Sequence, residues 1–403
     1  MKKIIILSYG AALPSQNASA LRISSVVEAL IQFGYDCYVI GQAPFKEGKM
    51  QLVKENYHLF SIYNYSLENS YSNKIKTFLF PTKKIFGGID YIIDKIGKVD
   101  TFLIYQQLPP STTRKIVKYI KKNNYSLFFD VVEYQTISQQ NLFTFFQFYI
   151  PNVLTVRKWT KFGGVISISS YLNNLFLKNK KRSIFVPFFF DVKNIPFFKK
   201  NSLFNDNGKI EFVYAGCPSR GRDSIVSAIK GFLMLPPDFQ KKVSLKVAGA
   251  PESTFMSLGL SKEEFEKSKK FTEYLGKVPH ETIVDIYKTA KFSLYLKPAK
   301  KRFSKAGFPT KVSESWTLGT PVIANISGDI GAFIKDGVNG IIISDDTPSA
   351  FSKGVKRIFE LCDCDMKEMS SNSRKTADME LSLDKYGPMI NDFISGNKDE
   401  KKN

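Results

Sequence analysis

Histidine is nearly absent from this chain of 403 residues, which holds only His58 and His280. Histidine-rich zinc sites and Ser/His/Asp arrangements both need a histidine in a suitable context, so metal catalysis of that type is not expected. Cysteine is scarce as well. The four present, Cys37, Cys217, Cys362 and Cys364, are too few and too scattered for a disulfide framework, and a reducing, cytosolic setting is expected. Cys362-Asp363-Cys364-Asp365 offers a Cys-x-Cys and an Asp-x-Asp together, but no second ligand pair stands near it in the sequence. No stretch approaches the roughly 20 apolar residues of a membrane span. The apolar run at residues 4–7 is followed at once by Ser8-Tyr9-Gly10, so no signal peptide is expected.

Acidic residues are in deficit: 58 Lys plus Arg against 37 Asp plus Glu leave a net charge of +21. A polyanionic partner follows, and nucleic acid, anionic lipid and phosphorylated substrates all qualify. Lysine-rich usage from an AT-rich genome is the plain alternative. Hydrophobic residues at 43% and charged residues at 24% are those of an ordinary globular protein, and the length exceeds what one core usually serves.

What is present is alternation. Residues 2–8 read as a strand, 9–20 as a small-residue loop, 21–33 as a helix stopped by Gly34, and 36–41 as a second strand, which is a βαβ opening. Strands at 101–106, 126–132 and 164–169, with a helix at 111–122, complete one doubly wound domain. Periodicity is lost over 185–209, where Pro, Asn, Gly and Asp collect, and the linker is placed there. The alternation then restarts with strands at 209–216, 244–249, 274–278, 291–298 and 340–344 and helices between them. The fold class is therefore α/β, with two doubly wound, Rossmann-like domains.

The stretch KAGFPTKVSESWTLGTPVIAN, residues 305–325, is the most informative. Pro309 suits a first helical turn, Gly319 a left-handed C-cap, and Thr320-Pro321 stops continuation, so a short helix spans 310–318. Its opening turn is a seat for an anion, with Lys311 adding positive charge. Glu314, on the same face, offers a carboxylate to a pair of hydroxyls such as those of a ribose. The alternative is a surface salt bridge between Lys311 and Glu314.

With these residues in view, the chain resembles retaining, nucleotide-sugar-dependent glycosyltransferases of the GT-B fold, of the group 1 or family 4 type that builds bacterial surface polysaccharides. The resemblance covers nearly the whole chain and is strongest over residues 210–345, where FVYAG, LGKVPHETIVDIYKTAKFSLYLKP and GFPTKVSESWTLGTPVIAN follow in the family's order. It implies two domains facing a cleft: an acceptor-binding domain at 1–195, a donor-binding domain at 196–375, and a C-terminal helix at 376–403 crossing back to the first domain before a disordered, Lys-rich tail. It implies that Gly307, Phe308, Pro309, Thr310 and Lys311 meet the donor diphosphate and that Glu314 binds the ribose. Arg220 and Arg222 resemble residues that neutralise the leaving diphosphate, the alternative being a solvated loop. Lys277 and Val278 match the segment that contacts the base, and Gly10 lies in the loop of the first domain, less glycine-rich here than in the family.

Two positions depart from the pattern. Ala306 stands where the first glutamate of E-x7-E is usual, and Val132 where the first domain often carries a histidine. Of the polar groups left nearby, Asp130 and Glu133, Glu133 is the better candidate for sugar or acceptor contact, the alternative being a strand-end carboxylate facing solvent. The implied mechanism needs no cofactor, metal or protein nucleophile. The acceptor hydroxyl attacks on the face that the diphosphate leaves, a phosphate oxygen takes its proton, and Arg220, Arg222, Lys311 and the amides of residues 308–310 hold the departing charge. UDP-sugars are the first choice of donor and GDP-sugars the second.

Residues 71–86 and 141–162 interleave aromatic and basic side chains, which suits a protein lying on an anionic membrane and a lipid-linked saccharide acceptor. A helical core with a solvated rim is the alternative. Two other classes stay open: a catalytically inactive scaffold or regulatory subunit of the same fold, and a basic nucleic-acid binder. The last is disfavoured because the charge is spread widely and neither an aromatic RNP-type motif nor a helix-turn-helix is apparent.

Overall fold

Largely buried strands alternate with helices along most of the chain, and they assemble into two sheets. The structure is a computed structural model that describes residues 1–14, 17–65, 81–106, 108–137, 145–219 and 221–396. It divides into two units, residues 1–187 with the chain from Leu383 onward, and residues 188–382. The crossing between them falls inside the 185–209 stretch. The Lys-rich tail, from residue 397, lies outside the described residues.

The first unit runs β1 (Lys2–Ala12), α1 (Ala18–Gln32), β2 (Tyr35–Ala43), β3 (Met50–Lys54), β4 (Tyr57–Asn64), α2 (Pro81–Ile96), β5 (Thr101–Tyr105), α3 (Pro110–Lys122), β6 (Ser126–Val131), α4 (Ile150–Arg157), β7 (Gly164–Ser167), α5 (Ser170–Lys178) and β8 (Ser183–Phe185). The sheet order is β3-β4-β2-β1-β5-β6-β7-β8, parallel except for β3 against β4. Residues 4–7 of β1 are fully buried, which is why they read as a continuous apolar run. α1 begins at Ala18 because the Asn17 side chain accepts from the Ala20 amide at 2.9 Å. The β3–β4 hairpin was not expected. Its outer strand, MQLVK, is exposed along nearly its whole length and so carries no alternation to read.

One expectation for this unit is corrected, and one alternative is removed. β1 continues to Ala12, so Gly10 is a strand residue and not a loop residue. Asp130 is not available to a sugar: it is buried and paired with Arg22 of α1, with Nε to Oδ2 at 3.0 Å and Nη2 to Oδ1 at 3.2 Å. Arg22 also donates to the carbonyls of Val186, at 3.1 Å, and Pro187.

The second unit runs β9 (Ile210–Ala215), α6 (Ile225–Leu233), α7 (Pro237–Gln240), β10 (Val243–Ala248), α8 (Glu252–Ser257), α9 (Lys262–Ser268), β11 (Thr272–Gly276), α10 (His280–Thr289), β12 (Phe292–Tyr295), α11 (Arg302–Ala306), α12 (Thr310–Thr317), β13 (Val322–Asn325), β14 (Gly340–Ile343), α13 (Pro348–Ile358) and α14 (Asp363–Glu380). Its parallel sheet has the order β11-β10-β9-β12-β13-β14, so the winding direction reverses between β9 and β12. Phe212, Phe232, Phe292 and Phe351 form the aromatic centre of its core, with Phe232 at 4.9 Å from Phe351 and 5.0 Å from Phe212.

The carboxyl ends of β9 and β10 come unusually close. Gly249 has φ of +119° and a Cβ there would lie 2.2 Å from the Gly216 carbonyl oxygen, so only glycine fits. The last helix, α15 (Leu383–Ser395), packs on α1 of the first unit, where Gly387 meets the Phe33 ring.

Cys362 and Cys364 are joined in a disulfide, which the scattered cysteines did not lead one to expect. Their acidic neighbours serve the helix start. Asp365 accepts from the Cys362 amide at 2.8 Å and Asp363 from the Leu203 amide at 2.7 Å. Cys362, Cys364 and Asp365 are the one group among the described residues with metal-ligand spacing, and two of its three sulfur or oxygen donors are tied up in the disulfide.

Candidate functional site

α12 starts where the sequence places it and ends one residue earlier, at Thr317. Pro309 is its N-cap and not its first helical residue, and Gly319 follows with φ of +79°. The Gly319 amide donates to Trp316 and the Thr320 amide to Ser315, closing the C-terminus. The helix is buried from Val312 to Thr317. Its polar side chains other than Glu314 tolerate this because each finds a backbone partner: Ser313 donates to Phe188, Ser315 to Thr320, Thr317 to Ser313, and the Trp316 indole to Asn339. This packing fixes the rotation of α12 and therefore where Lys311 and Glu314 project.

Lys311 and Glu314 do not pair with each other; they have different partners. The Lys311 ammonium reaches the carboxyl end of β9, 3.8 Å from the centre of the Tyr214 ring and 3.7 Å from Asp223 Oδ1, and a Cβ on Gly216 would lie 3.0 Å from it. Burial lowers the Lys311 pKa from its ordinary value, while Asp223 opposes the shift. Burial, then Asp223, drives the Tyr214 phenol well upward.

Glu314 is 8% exposed, and its Oε1 lies 2.5 Å from His280 Nε2 at the first position of α10. The hydrogen bond to Glu314 raises the His280 pKa above its ordinary value, against the effect of burial. Tyr287, two turns further along α10, donates from its hydroxyl to the Lys311 carbonyl at 3.5 Å. His280 and Tyr287 are seven residues apart and so share one face of α10. That face meets α12. The spacing was visible in the sequence, but His280 had been considered only for zinc and triad chemistry.

The turn before α12 holds Gly307, the half-exposed C-cap of α11, and Phe308, buried edge-on against Phe333 at 5.4 Å. Pro309 has no amide hydrogen. The amides of Phe308, Thr310 and Lys311 make no hydrogen bond among the described residues. Ala306 is fully buried, so no polar group replaces the missing glutamate at that position.

Arg222 is exposed in the loop between β9 and α6, and its amide donates to Ser219. Arg220 lies outside the described residues. Asp223, the acid next to Arg222 and just before α6, was passed over in the sequence. Lys277 is exposed and Val278 half-buried in the turn from β11 into α10. Lys311, Glu314, His280, Tyr214 and Asp223 thus gather at the carboxyl end of the second sheet, beside the reversal at β9 and β12, where parallel α/β sheets take their ligands.

The remaining two expected residues belong to the first unit. Gly10 is exposed, and a Cβ there would meet nothing within 4 Å. Glu133 accepts from Gln135 Nε2 at 2.8 Å, while its carbonyl accepts from the buried Asn152 at 3.0 Å, which ties residues 133–135 to α4. Val132 is half-buried. Residues 66–80 and 138–144, which hold much of the aromatic and basic sequence, lie outside the described residues. The rest of that composition includes Phe146 at 63% exposure and Phe148 at 40%, followed by exposed Arg157, Lys158 and Lys161.

Residues 194–376 match the family model of glycosyl transferases group 1. An uncharacterized glycosyltransferase of Methanocaldococcus jannaschii is 21% identical over 243 residues, a match covering 59% of this chain and 55% of that relative. The chain therefore spans about half the length of this curated relative. Among solved structures, sucrose-phosphate synthase from Thermosynechococcus elongatus matches with a TM-score of 0.73 at 12% identity, over 98% of this chain and 99% of that one. The Anabaena protein HepE in complex with UDP and glucose matches with a TM-score of 0.66 at 13% identity, over 98% of this chain and 100% of that one. With two parallel-sheet units and a family match over nearly all of the second, residues 194–376 belong to the glycosyl transferases group 1, carried in a chain of the GT-B fold.

Proposed function

We propose that this chain transfers a hexose, with retention, from a nucleotide-sugar donor to a hydroxyl of a saccharide or lipid-linked saccharide in the synthesis of bacterial cell-surface polysaccharide. The observation that carries the reading is the arrangement on α12: a half-buried ammonium beside amides that make no hydrogen bond among the described residues, and a buried carboxylate one turn on. An ammonium and amides suit a diphosphate; a carboxylate suits vicinal hydroxyls. UDP-sugars are the first choice of donor, and the fold likeness to a UDP-bound and glucose-bound protein supports that order. GDP-sugars are the second.

In this mechanism Lys311, Arg222 and Arg220 stabilise the charge that grows on the diphosphate as the sugar bond breaks. The turn Gly307, Phe308, Pro309 and Thr310 presents the Phe308 and Thr310 amides to the same group, Glu314 holds the ribose, and Lys277 with Val278 borders the base. Glu133 and Gly10 serve the sugar or acceptor from the first unit. The acceptor hydroxyl gives its proton to a phosphate oxygen, so the reaction asks for no protein nucleophile, cofactor or metal. The protein works in the cytoplasm against the inner face of the membrane, where exposed Phe146 and Phe148 and the basic residues after them suit an anionic surface.

The catalytically inactive scaffold remains a second reading because Ala306 leaves the transferred sugar without one usual contact. Thermal melting with UDP and with GDP, followed by a panel of nucleotide sugars scored for binding and slow hydrolysis, tests both. Stabilisation by one nucleotide and release of sugar from its conjugate is the expected result. Stabilisation without turnover on any donor selects the scaffold, and indifference to both nucleotides rejects the donor site.

A further inference from the structure

We propose that His280 is a positioning residue that aims the Glu314 carboxylate at the ribose hydroxyls of the donor. The inference rests on the ribose role assigned to Glu314 above. Its own basis is the geometry of the α10–α12 contact.

The Glu314 side chain is 11% exposed, and its hydrogen bond to His280 is the one it makes among the described residues. A carboxylate so placed has lost most of its water. It is held in one orientation only if a donor replaces that water. His280 supplies the donor through Nε2 to Oε1, and Oε2 is left for a ligand. A carboxylate has about four lone-pair sites, so two hydroxyls are still accommodated.

His280 is itself held in place. It opens α10 directly after Pro279, whose φ of −57° and ψ of 154° set the turn from β11. Further along the same face, the buried Tyr287 reaches the Lys311 carbonyl. The two contacts lock α10 against α12 at both ends of the site. The charged groups acting on His280 are Glu314 from α12 and Glu281 from its own helix. The imidazole is therefore flanked by acids and donates to the one that α12 presents.

The test compares affinities for UDP and 2′-deoxy-UDP, and for GDP and 2′-deoxy-GDP, by calorimetry in the full chain. It uses wild type, Glu314→Ala, His280→Leu and His280→Gln, with competition by inorganic pyrophosphate as the control for the phosphate side. Wild type is expected to prefer the ribose form by about tenfold or more, as befits a hydrogen bond to a charged acceptor. Glu314→Ala and His280→Leu should each shrink the preference to about threefold or less while pyrophosphate binding stays unchanged, and His280→Gln, which keeps an N–H donor, should restore most of it. Full ribose preference in His280→Leu together with its loss in Glu314→Ala overturns the positioning role and leaves the ribose role standing. Equal loss of nucleotide and pyrophosphate affinity in both histidine variants, or failure of His280→Gln to restore the preference, also overturns it. A preference that survives Glu314→Ala, or no nucleotide binding by wild type, rejects the reading of Glu314 itself and the inference with it.

Discussion

Two basic groups in the second unit, buried Lys200 and half-buried His280, should give its stability opposite dependences on pH. Lys200 is 2% exposed and donates to the Tyr287 and Lys288 carbonyls at 2.7 and 2.8 Å; burial, with Lys291 nearby, lowers its pKa to about 7. The unfolded chain holds that proton up to about pH 10.4. Between these values the unfolded state binds more protons, so stability rises with pH, by up to a few kcal/mol across the window. Lys291, lowered by burial as well, acts in the same direction. His280 has the reverse sign. Its raised pKa contributes stability that is fully present below about pH 6.5 and fades as pH climbs through the folded value. Urea unfolding at intervals from pH 6 to 9.5 should show wild type gaining on Lys200→Met as the pH rises. The advantage of wild type over His280→Gln should shrink over the same range. A Lys200→Met curve parallel to wild type would mean that the two helix-end carbonyls hold the ammonium charged throughout.

At the scale of elements, the close approach of two strand ends builds the site. Gly249 and Gly216 let β9 and β10 converge where the Lys311 ammonium arrives. Gly249→Ala meets both a carbonyl at 2.2 Å and a positive φ, and it is expected to cost at least about 1–3 kcal/mol in strain alone. Gly10→Ala, with open space around it, should stay within about 0.5 kcal/mol of wild type. Melting curves of the two variants check this contrast. If Gly10→Ala nevertheless loses activity at unchanged stability, a ligand passes close to that backbone. α12 depends on its partners in the same way: Trp316 is fully buried, and Trp316→Ala is expected to cost about 3–5 kcal/mol. A cost below about 1 kcal/mol would show that α12 is not fixed by this packing.

For the molecule as a whole, the charge of +21 and the assignment of leaving-group charge to side chains lead to two expectations. Activity should persist in excess EDTA, and Lys311→Ala should lower turnover by on the order of a hundredfold with a smaller change in donor affinity. Loss of activity in EDTA with rescue by Mg²⁺ or Mn²⁺ would move the leaving-group charge to a metal. Vesicles containing anionic lipid should bind the protein, and the binding should weaken with salt because charges on a surface are screened within about 10 Å at 0.1 M. No helix among the described residues is long and apolar enough to cross a membrane. Equal indifference to anionic and neutral vesicles would remove the membrane from the proposal.

Local pattern was enough for the strands of the second sheet, for most of its helices and for the limits of α12, because apolar periodicity, Pro309 and the Gly319-Thr320-Pro321 stop act within a few residues of themselves. The exposed β3 edge was illegible because an edge strand with little to bury carries no alternation. Lys311 and Glu314 mark the boundary most clearly. Three residues apart on one helix, they read equally well as a salt bridge or as two halves of a site. The choice depended on groups 34 and 88 positions away, His280 for the carboxylate and Asp223 for the ammonium. Only the folded sheet brings those groups to the helix, since the register of parallel strands and the burial of Trp316, not the neighbours along the chain, decide which way α12 turns each charge.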